Sequence, residues 1–545
     1  MKKTIYFASL CLGGCLWATS CVDDKYDLSD IDTESAIKFD GLVVPVNLES
    51  IYLDQVLKVD DEDPSNPIKI FTDDQGNLRY AIQKSDEFHA DPVYIKEIEA
   101  INGASINSLP ILVNGTSIQS SMVPYVYMIG AGKVDDAIEK LYRLGLNNPM
   151  EINIAFYYSD NSKSVSVDNL VLSIPESFTA FYHGQEFTGG EIPVTITSGM
   201  LDEPIKVYAI DFGSDGIEPE GASGNKSLVF DGMLGIKSGS VTSGEGTLYA
   251  QFSMSPFTAN QISGSINYEI EAPAFNPVSL EDLPDFLREG ESQLIISNPQ
   301  LYFYLGNPTG APFHTSLSIE PNGNNGNRID VTMEPFESSI ILAADPQELS
   351  LSHLYPEATV QQETGLQYIL YGQGLPESID FNLGTTYLRG NVPNLVLGTY
   401  MNVEGEYTFF APLAFDATSR ILYQKSETDF FGEDMKEVKV EQLRLTCYPS
   451  TNLPFDLTLT VYPLNKEGER ITKNGNEIKA SGLVKANANG SEQLDINFNQ
   501  PFTGLDGVEY VVSADFMNNE VLSPEQYIKL DKIRATVTGA YITDF

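Results

Sequence analysis

Apolar and polar residues alternate along most of this chain, in short runs separated by glycine, proline, asparagine and aspartate. Residues 67–72 alternate, residues 73–77 form a polar turn around Gly76, and residues 78–83 alternate again. Two alternating runs joined by a short glycine-containing turn predict a β-hairpin. Because such runs recur with few helical segments between them, we expect an all-β protein, built as a multidomain array of immunoglobulin-like β-sandwiches.

Segments with the 3.6-residue spacing of a helix are few. The clearest covers residues 134–146, where Val134, Ile138 and Leu141 recur every three or four residues. This spacing predicts one sizeable helix in the N-terminal part of the chain. Shorter elements are expected at residues 41–47 (a strand), 51–57 (a strand or one helical turn), 279–287 (a helical turn) and after Ser523-Pro524 (a capped helix).

An internal repeat lies in the C-terminal half. Two Pro-Phe pairs are followed at equal spacings by two apolar residues and a proline, namely Leu317, Ile319 and Pro321 after Pro312-Phe313, and Leu459, Val461 and Pro463 after Pro454-Phe455. Residues 329–336 and 494–502 share a second motif. Hairpin strands with alternate apolar residues, bounded by prolines that block their extension, explain both motifs. The repeat predicts two related β-sandwich domains.

A chain of 545 residues is too long for a single hydrophobic core. Proline-rich residues 272–278 indicate one linker between domains. We therefore expect a lipoprotein signal peptide at residues 1–20, an acidic tether at 21–40, an N-terminal β-rich domain with one helix at 41–150, a β-sandwich at 151–274, a β-sandwich with the first repeat copy at 275–395, and a β-sandwich with the second copy at 396–545.

The N-terminus has the organisation of a lipoprotein leader. Lys2 and Lys3 precede an apolar stretch over residues 5–17, which suits a signal sequence but is too short to cross a bilayer as a helix. Small residues then lead to Cys21. This arrangement resembles the lipobox of bacterial lipoproteins, where a peptidase cuts before a cysteine that carries the lipid. We predict that Cys21 is lipidated; Cys15 is the alternative, with a shorter apolar stretch before it.

The residues after Cys21 are polar and acidic, beginning with Asp23 and Asp24. Here the chain resembles uncharacterised surface-exported lipoproteins of Bacteroidota-type bacteria with serial β-sandwich domains. In such lipoproteins, acidic residues next to the lipidated cysteine mark export to the cell surface. The resemblance implies that Asp23 and Asp24 form this signal, and that the protein is lipid-anchored in the outer membrane and exposed on the cell. An ordinary acidic linker is the alternative explanation.

The charge balance is strongly acidic, with 76 acidic against 32 basic residues and a formal net charge of −44. Such a field repels phosphate backbones, which argues against a nucleic-acid partner. It is compatible with divalent cations, and calcium prefers the carboxylate and carbonyl oxygens of acidic turns. Two such turns contain the calcium candidates Asp60, Asp61, Asp63, Asp73 and Asp74. Neither turn follows the regular twelve-residue calcium loop, so solvated turns are favoured, with calcium as the alternative, and we expect no other cofactor.

The cysteines and histidines offer little chemistry. Cys11 and Cys15 lie in the leader, so Cys447 has no disulfide partner if Cys21 is lipidated. Cys447 belongs to the strand-like run 443–448 and is expected to be a small buried hydrophobe. No histidine has a cysteine or a second histidine at metal-ligand spacing, which disfavours a transition-metal site; the four are His89, His183, His314 and His353.

Catalytic motifs do not occur in the sequence. It contains neither a Gly-x-Ser-x-Gly motif nor a phosphate-binding glycine loop. We therefore expect a protein that is not an enzyme. A carboxylate-dependent hydrolase stays open as an alternative, because two acids roughly 5–9 Å apart suffice for glycoside hydrolysis and sequence does not show that distance.

Aromatic residues cluster on several predicted strands. Residues two apart on a strand share a face, so Tyr125 lies beside Tyr127 and Tyr302 beside Tyr304. Further clusters occur at 156–158 and 181–182. Core packing and a platform for sugar rings both explain such pairs. The single tryptophan, Trp17, lies in the leader, which weakens the sugar explanation.

The sequence favours a non-catalytic, lipid-anchored surface lipoprotein with a role in adhesion, assembly or envelope structure. One alternative is a surface glycan-binding protein that serves an outer-membrane importer, and exposed aromatic residues grouped on one face would favour it. The second alternative is the carboxylate-dependent hydrolase. The expected partners are the membrane, through the lipid anchor, and surface proteins or glycans. Fold alone does not separate these functions, because β-sandwiches support all of them.

Overall fold

The protein is almost entirely β-structure. A computed structural model describes residues 34–45, 51–59, 66–73, 75–159, 165–242, 247–272, 274–288, 292–323, 327–347, 351–429, 431, 435, 437–515 and 519–544. Within these ranges the only α-helices are α1 (Leu53–Val56) and α2 (Asp285–Arg288), and two 3₁₀ turns cover Leu351–His353 and Thr364–Tyr368. No helix there is both long enough and apolar enough to cross a membrane. The all-β prediction is confirmed.

The strands follow one another closely along the chain. The first are β1 (Glu34–Pro45), β2 (Ile51–Tyr52), β3 (Ile68–Thr72), β4 (Leu78–His89), β5 (Val93–Tyr94), β6 (Ile98–Ala100), β7 (Ala104–Ser105), β8 (Leu109–Ile111), β9 (Val113–Asn114), β10 (Ser117–Ile118) and β11 (Ser121–Ile129). The next are β12 (Ile138–Tyr158), β13 (Val167–Tyr182), β14 (Gln185–Val194), β15 (Ile196–Thr197), β16 (Met200–Leu201), β17 (Ile205–Asp211), β18 (Leu228–Val241), β19 (Leu248–Met254) and β20 (Phe257–Ile270).

The second half contains strands of similar length. They begin with β21 (Val278–Ser279), β22 (Gln293–Ile295), β23 (Gln300–Asn307), β24 (Phe313–Pro321), β25 (Asn327–Met333), β26 (Phe336–Ala343), β27 (Thr359–Gln362), β28 (Tyr371–Gln373), β29 (Ser378–Leu383), β30 (Thr386–Val396), β31 (Tyr400–Met401) and β32 (Glu404–Pro412). The last are β33 (Arg420–Glu427), β34 (Val438–Thr451), β35 (Leu457–Leu464), β36 (Thr472–Lys473), β37 (Asn476–Glu477), β38 (Ala480–Val484), β39 (Leu494–Phe498), β40 (Gly507–Asp515) and β41 (Tyr527–Asp544).

These strands form several separate sheets. One sheet has the order β1-β41-β34-β39, with β2 also paired to β41. Two six-stranded sheets have the orders β28-β22-β33-β40-β35-β38 and β27-β26-β23-β32-β4-β3, and a larger antiparallel system connects strands between β6 and β30. Alternate residues of the strands enter three hydrophobic clusters, one large and two smaller. The result is the multidomain β-sandwich architecture that the alternating pattern predicts.

Strand pairing brings distant parts of the chain together. β1 pairs antiparallel with β41, so strand structure begins inside the stretch 21–40 that was expected to be a tether. β4 pairs with β32, and β20 pairs with β30. Residue 150 lies inside β12, which pairs with β17, β19 and β20. The sheets therefore connect segments on both sides of the divisions expected near residues 150 and 275.

The helix predicted over residues 134–146 is wrong. Residues 138–146 belong to β12, where Ile138, Leu141 and Leu144 are buried. The pairing of β12 with β20 has register shifts at Ile138/Lys140 and Leu141/Arg143. A β-bulge adds one residue to a strand and moves the next buried position along the chain. The bulges therefore convert the period of two into a spacing of three, which resembles that of a helix.

The capped helix predicted after Ser523 does not form either. Ser523 and Gln526 make the expected local contacts, because the Ser523 N–H donates to the Gln526 side chain at 3.0 Å and the Gln526 N–H donates to the Ser523 carbonyl at 3.1 Å. The chain then enters β41 at Tyr527 instead of continuing the turn. Pairing of β41 with β1 and β34 over many residues outweighs one favourable helical turn.

Other local predictions are confirmed. β3 and β4 form the predicted hairpin, and Gly76 in its turn has a φ of +85°. Residues 51–57 contain both the short strand β2 and the helical turn α1, and α2 lies at the end of the predicted stretch 279–287. In each case the signal is contained in neighbouring residues, and no distant contact opposes it.

The two repeat copies share a burial pattern but not a pairing pattern. Leu317 and Ile319 in β24 are buried, as are Leu459 and Val461 in β35. In the first copy β24 forms a hairpin with β25. In the second copy β35 pairs with β38 and β40, while β39 pairs with β34. The additional residues between β35 and β39 include β38. This strand pairs with β35 in the second copy, as β25 pairs with β24 in the first.

The ion pair between Arg444 and Asp495 makes β-sheet stability depend on pH. Two Arg444 nitrogens donate to the Asp495 carboxylate at 3.1 and 2.6 Å, and Thr446 donates at 2.9 Å. The Arg444 hydrogen bonds, followed by those of Gln493 and Thr446, lower the pKa of Asp495 from 3.8 to about 2. A lowered pKa in the folded state stabilises the protein above pH 4, and this contribution is lost as the pH falls from 4 to 2.

We expect Asp495→Asn to lower the free energy of unfolding by about 1 kcal/mol at pH 7, because the pair is partly exposed and screened. The difference from wild type should shrink to a small fraction near pH 2, where about half of the wild-type carboxylates are protonated. Urea unfolding at pH 7, 4 and 2 measures both values. Glu441→Gln is the control, since no hydrogen bond or ion pair to the Glu441 side chain occurs among the described residues. A pH-independent loss in Asp495→Asn would contradict this explanation.

Candidate functional site

The residues predicted to anchor and export the protein precede the described part of the chain. They are Cys15, Cys21, Asp23 and Asp24. Four of the five calcium candidates also fall outside the described residues, namely Asp60, Asp61, Asp63 and Asp74. The lipid anchor, the export signal and these four carboxylates therefore stay predictions.

Asp73, the fifth calcium candidate, caps the turn of the β3–β4 hairpin. Its carboxylate accepts hydrogen bonds from the backbone N–H groups of Gln75 at 2.9 Å and Asn77 at 2.8 Å, and pairs with Arg79 at 2.9 Å. These donors, the Asn77 N–H first, hold the pKa of Asp73 well below its ordinary range. Within the described ranges, no group of three His, Cys, Asp or Glu side chains is placed to hold a metal ion.

The tyrosine pair predicted on residues 125 and 127 shares a face, and that face points into the protein. Tyr125 and Tyr127 on β11 are buried, and the Tyr127 hydroxyl donates to the Ser255 carbonyl at 2.8 Å. Burial raises the pKa of both phenols above the ordinary value. Tyr302 on β23 is also buried, whereas Tyr304 is half-buried. These rings pack in or against the hydrophobic core, so they do not form the platform for sugar rings that the sequence left open.

Cys447 lies on β34 with its side chain buried, as expected for a small hydrophobe. Burial raises the pKa of the thiol to about 11. The thiolate, which is the reactive form of cysteine, is therefore disfavoured at neutral pH. This position contributes to packing.

His183 contacts two carboxylates that sequence spacing does not connect with it. It lies in the turn between β13 and β14, with Nε2 3.0 Å from Asp202 and Nδ1 3.3 Å from Glu203. The Tyr182 hydroxyl donates to Asp202 at 2.6 Å and, as the largest cause, lowers the pKa of that carboxyl. The cluster ties the β13–β14 turn to the turn before β17. No sequence signal connects these residues, because they come from two turns that meet only in the fold.

The outer side of β11 and β18 is an exposed apolar surface, which we call the β11/β18 face. The antiparallel register places Met122 opposite Gly235, Pro124 opposite Met233, Val126 opposite Asp231, and Met128 opposite Val229. All four outward residues of β11 are exposed, and Val126 and Met128 are each 61% exposed. Asp231 is the single charged residue in this set. The alternating pattern of β11 could have indicated this surface, because both sets of alternate residues are apolar.

Two glycines allow β18 to pack closely on β11. A Cβ at Gly232 would lie 2.8 Å from the ring of Tyr125, and one at Gly235 would lie 2.3 Å from the sulfur of Met122. The buried Tyr125 ring therefore occupies the space of a missing side chain on the inner side, and Met122 does so on the outer side. This packing holds the β11/β18 face on a rigid inner layer.

Two exposed tyrosines form a second surface feature. Tyr94 on β5 and Tyr400 on β31 are cross-strand neighbours, with ring centroids 4.8 Å apart and planes inclined by 32°. They are 40% and 75% exposed. The adjacent pair in this short ladder is Val93 and Met401, of which Val93 is fully buried and Met401 packs on the core. Because alternate residues point to opposite sides, this anchoring directs the two tyrosines toward solvent.

Polar groups surround the Tyr94/Tyr400 pair. The Tyr268 hydroxyl lies 3.5 Å from the backbone nitrogen of Tyr94. The Glu97 side chain lies against Gly398, two residues before Tyr400, and accepts a hydrogen bond from Asn147 at 3.3 Å. The pair is thus an apolar platform bordered by hydrogen-bonding groups.

A small apolar cavity lies between α1, α2 and the sheet that contains β33 and β40. Its volume is about 110 Å³, and its walls include Leu53, Phe286, Ile421, Val512 and Ile528. It is smaller than the roughly 150 Å³ cavity known to bind benzene.

Comparisons with known proteins define no family for this chain. No protein-family model matches it, and no curated protein is significantly similar. Among solved structures, a presumed secreted protein from Parabacteroides distasonis is 14% identical, with a TM-score of 0.35, over 50% of this chain and 89% of that chain. The protein PNGF-II gives 11% identity and a TM-score of 0.10, over 59% of this chain and 62% of that one. TM-scores this low carry no information about the function of this chain.

Proposed function

We propose that this protein is held by a lipid in the bacterial outer membrane, faces the outside of the cell, and has a non-catalytic role in adhesion, assembly or envelope structure. The observation that carries the proposal is the pairing of β1 with β41. The predicted lipid site at Cys21 is followed, after a short acidic stretch, by β1, which makes ten register pairs with β41. The predicted anchor is therefore followed by the edge strand of a sheet of the ectodomain, paired over most of its length with β41.

This ladder suits a protein that bears force. A pull on the anchor acts along β1, at right angles to the hydrogen bonds of an antiparallel pair. The ten pairs then share the force, and β41 transmits it to β34, with which it makes twelve pairs. We expect a domain connected in this way to stay folded while the membrane holds one end and a partner holds another surface.

The role is tested with a strain that lacks the gene. We expect that strain to lose attachment to surfaces or to other cells, or to become sensitive to detergent. The anchored chain should restore wild-type behaviour, whereas residues 22–545 secreted behind a leader without a lipid site should not. A mutant strain that matches the wild type in attachment, aggregation and detergent resistance would contradict the proposal.

Surface display is tested separately by protease treatment of intact cells. Replacing Asp23 and Asp24 by asparagine is expected to shift most of the protein from the cleaved to the protected fraction, because the predicted export signal is acidic. The matched control replaces Asp27 and Asp30 in the same acidic stretch and should leave cleavage unchanged. Equal cleavage of the wild type and the Asp23/Asp24 variant would indicate an ordinary linker.

Capture of glycans is a second candidate function, which the Tyr94/Tyr400 pair favours. Exposed aromatic rings offer flat apolar faces, and nearby polar groups supply the hydrogen bonds that orient a ligand. A pyranose ring presents both an apolar face and hydroxyl groups. Because the chain has a net charge of −44, a neutral polysaccharide fits this surface better than an acidic one.

Replacing both Tyr94 and Tyr400 by alanine is expected to weaken binding of a neutral polysaccharide by about tenfold, since two stacking contacts contribute roughly 0.5–1.5 kcal/mol beyond buried area. Calorimetry with mannan, laminarin and a soluble cellulose derivative measures this change. The control variant replaces Tyr368 and Tyr371, another exposed and contacting tyrosine pair. Equal losses in both variants, or no binding by the wild type, would remove glycan capture as a function of this surface.

A further inference from the structure

The β11/β18 face exposes several large apolar side chains to solvent. Met122, Val126 and Met128 on β11 and Val229 and Met233 on β18 are all large hydrophobic residues with exposed side chains. Contiguous apolar surface of this kind marks sites of protein contact. Three of the chain's 11 methionines lie in this small area, and methionine side chains adapt their shape to a partner surface.

The inner layer keeps this face in one conformation. Val123, Tyr125 and Tyr127 alternate with the exposed residues of β11 and are buried. The rings of Tyr127 and Phe230 stack at 5.2 Å, which fixes β11 and β18 relative to each other. A surface that is already rigid loses little conformational entropy when a partner binds.

A carboxylate, that of Asp231, lies within the apolar β11/β18 face. It lies opposite Val126 in the middle of the apolar set, and no hydrogen bond or ion pair to its side chain occurs within the described ranges. A partner that covers the face desolvates this carboxylate, which is costly unless the partner supplies an opposite charge. Complementarity therefore requires an arginine or lysine among apolar side chains.

A second copy of this chain does not meet that requirement. In a two-fold interface the same patch lies on both sides, so each Asp231 carboxylate would be covered by a patch that contains no basic residue. Two chains of net charge −44 also repel each other at long range. Addition of a strand at the β11 edge is hindered as well, because Pro124 lies in the middle of that strand and has no N–H.

We propose that the β11/β18 face binds a different protein of the cell envelope, whose surface places an arginine or lysine among apolar side chains. This inference rests on the assembly role proposed above and identifies the surface that performs it. The apolar side chains contribute contact area, and the ion pair with Asp231 selects the partner. Side chains of the face make the contact, and the hydrogen-bonding edge of β11 does not take part.

Site-specific cross-linking tests the proposal. The Met128→Cys variant of the full lipidated chain is labelled with a benzophenone maleimide, added to outer membranes from the deletion strain, and illuminated. Labelling is selective because Cys447 is buried. We expect one adduct, whose cross-linked peptide contains arginine or lysine beside apolar residues. Leu483→Cys, at an exposed position of β38 that is remote in sequence, is the control and should give no such adduct.

The charge requirement is tested with Asp231→Lys in the Met128→Cys background. We expect the adduct yield to fall at least about tenfold, and to return when the basic residue of the cross-linked peptide is changed to glutamate. An unchanged thermal midpoint shows that Asp231→Lys is folded. An adduct with a second copy of this chain, an adduct insensitive to Asp231→Lys, or no adduct above the Leu483→Cys level overturns the proposal. If only this test fails, attachment or detergent defects in the deletion strain still support the anchored role.

Discussion

Replacing Cys21 by serine is expected to abolish lipid attachment and to leave residues 1–20 on the chain. In the lipobox that this leader resembles, a peptidase cuts before a cysteine that carries the lipid, and serine has no thiol to carry it. Each acyl chain contributes about 0.8 kcal/mol of membrane affinity per buried CH₂ group. Loss of the lipid therefore removes the main force that holds the ectodomain at the outer membrane. Metabolic labelling with an alkyne fatty acid and the N-terminal mass measure both effects.

Cys15→Ser is the matched control, since it changes the same atom in the alternative position. We expect this variant to incorporate lipid and to begin at Cys21, as the wild type does. The opposite result, with label lost only in Cys15→Ser, would place the anchor at Cys15. The acidic signal would then lie farther from the lipid, and the role predicted for Asp23 and Asp24 would be wrong.

Gly374→Ala is expected to lower the local free energy of unfolding around β22 and β28 by about 3 kcal/mol. Gly374 has a φ of +77°, and a Cβ there would lie 2.1 Å from the carbonyl oxygen of Arg288. A left-handed conformation costs an L-residue roughly 1–2 kcal/mol. The clash adds to this cost because the Arg288 carbonyl belongs to backbone and has no alternative rotamer. Hydrogen exchange of the amides in residues 292–295 and 371–375 measures the change.

Gly76→Ala separates the cost of the left-handed backbone conformation from the cost of the clash with the Arg288 carbonyl. Gly76 also has a positive φ, of +85°, but a Cβ there would have no atom within 4 Å. We expect this variant to lose only about 1 kcal/mol, which is the cost of the backbone conformation alone. Similar losses at Gly76 and Gly374 would mean that the contact with Arg288 does not contribute.

Much of the local structure could be predicted from neighbouring residues. The β3–β4 hairpin follows from two alternating runs and the turn with Gly76. Burial in β4 does not alternate strictly, because Tyr80, Ala81 and Ile82 are all buried, in clusters on both sides of the sheet. The burial of Cys447 also follows from its place in an apolar run. In both cases the relevant contacts lie close in sequence or depend only on hydrophobicity.

The helix at residues 134–146 and the one after Ser523 were predicted wrongly for a common reason. Both segments belong to strands whose partners lie far away in sequence, β20 for the first and β1 and β34 for the second. Local spacing contains no information about such partners. In β12 the bulges also disguise the strand, because they change the spacing of the buried residues.

For the candidate surfaces too, neighbouring residues indicate the residue types, whereas distant strand pairing decides which of them are exposed. The sequence identified clusters of tyrosine, but not which tyrosines are exposed. Tyr125 and Tyr127 are buried in the core, whereas Tyr94 and Tyr400, which no sequence pattern connects, form an exposed pair. They are more than 300 residues apart and meet through a ladder of two residue pairs. His183 likewise meets Asp202 and Glu203 only because two turns converge.

The sequence by itself determined the all-β class and the strong negative charge, because alternation and composition are properties of the chain before it folds. It also contained the predicted leader and lipid site, which are linear signals. Only the tertiary structure decided that β1 joins β41, that β11 and β18 leave an apolar face exposed, and that Asp231 lies within that face. The physical reason is that a strand specifies its two faces through its own residues, whereas the neighbour that covers each face is selected by pairing across the whole molecule.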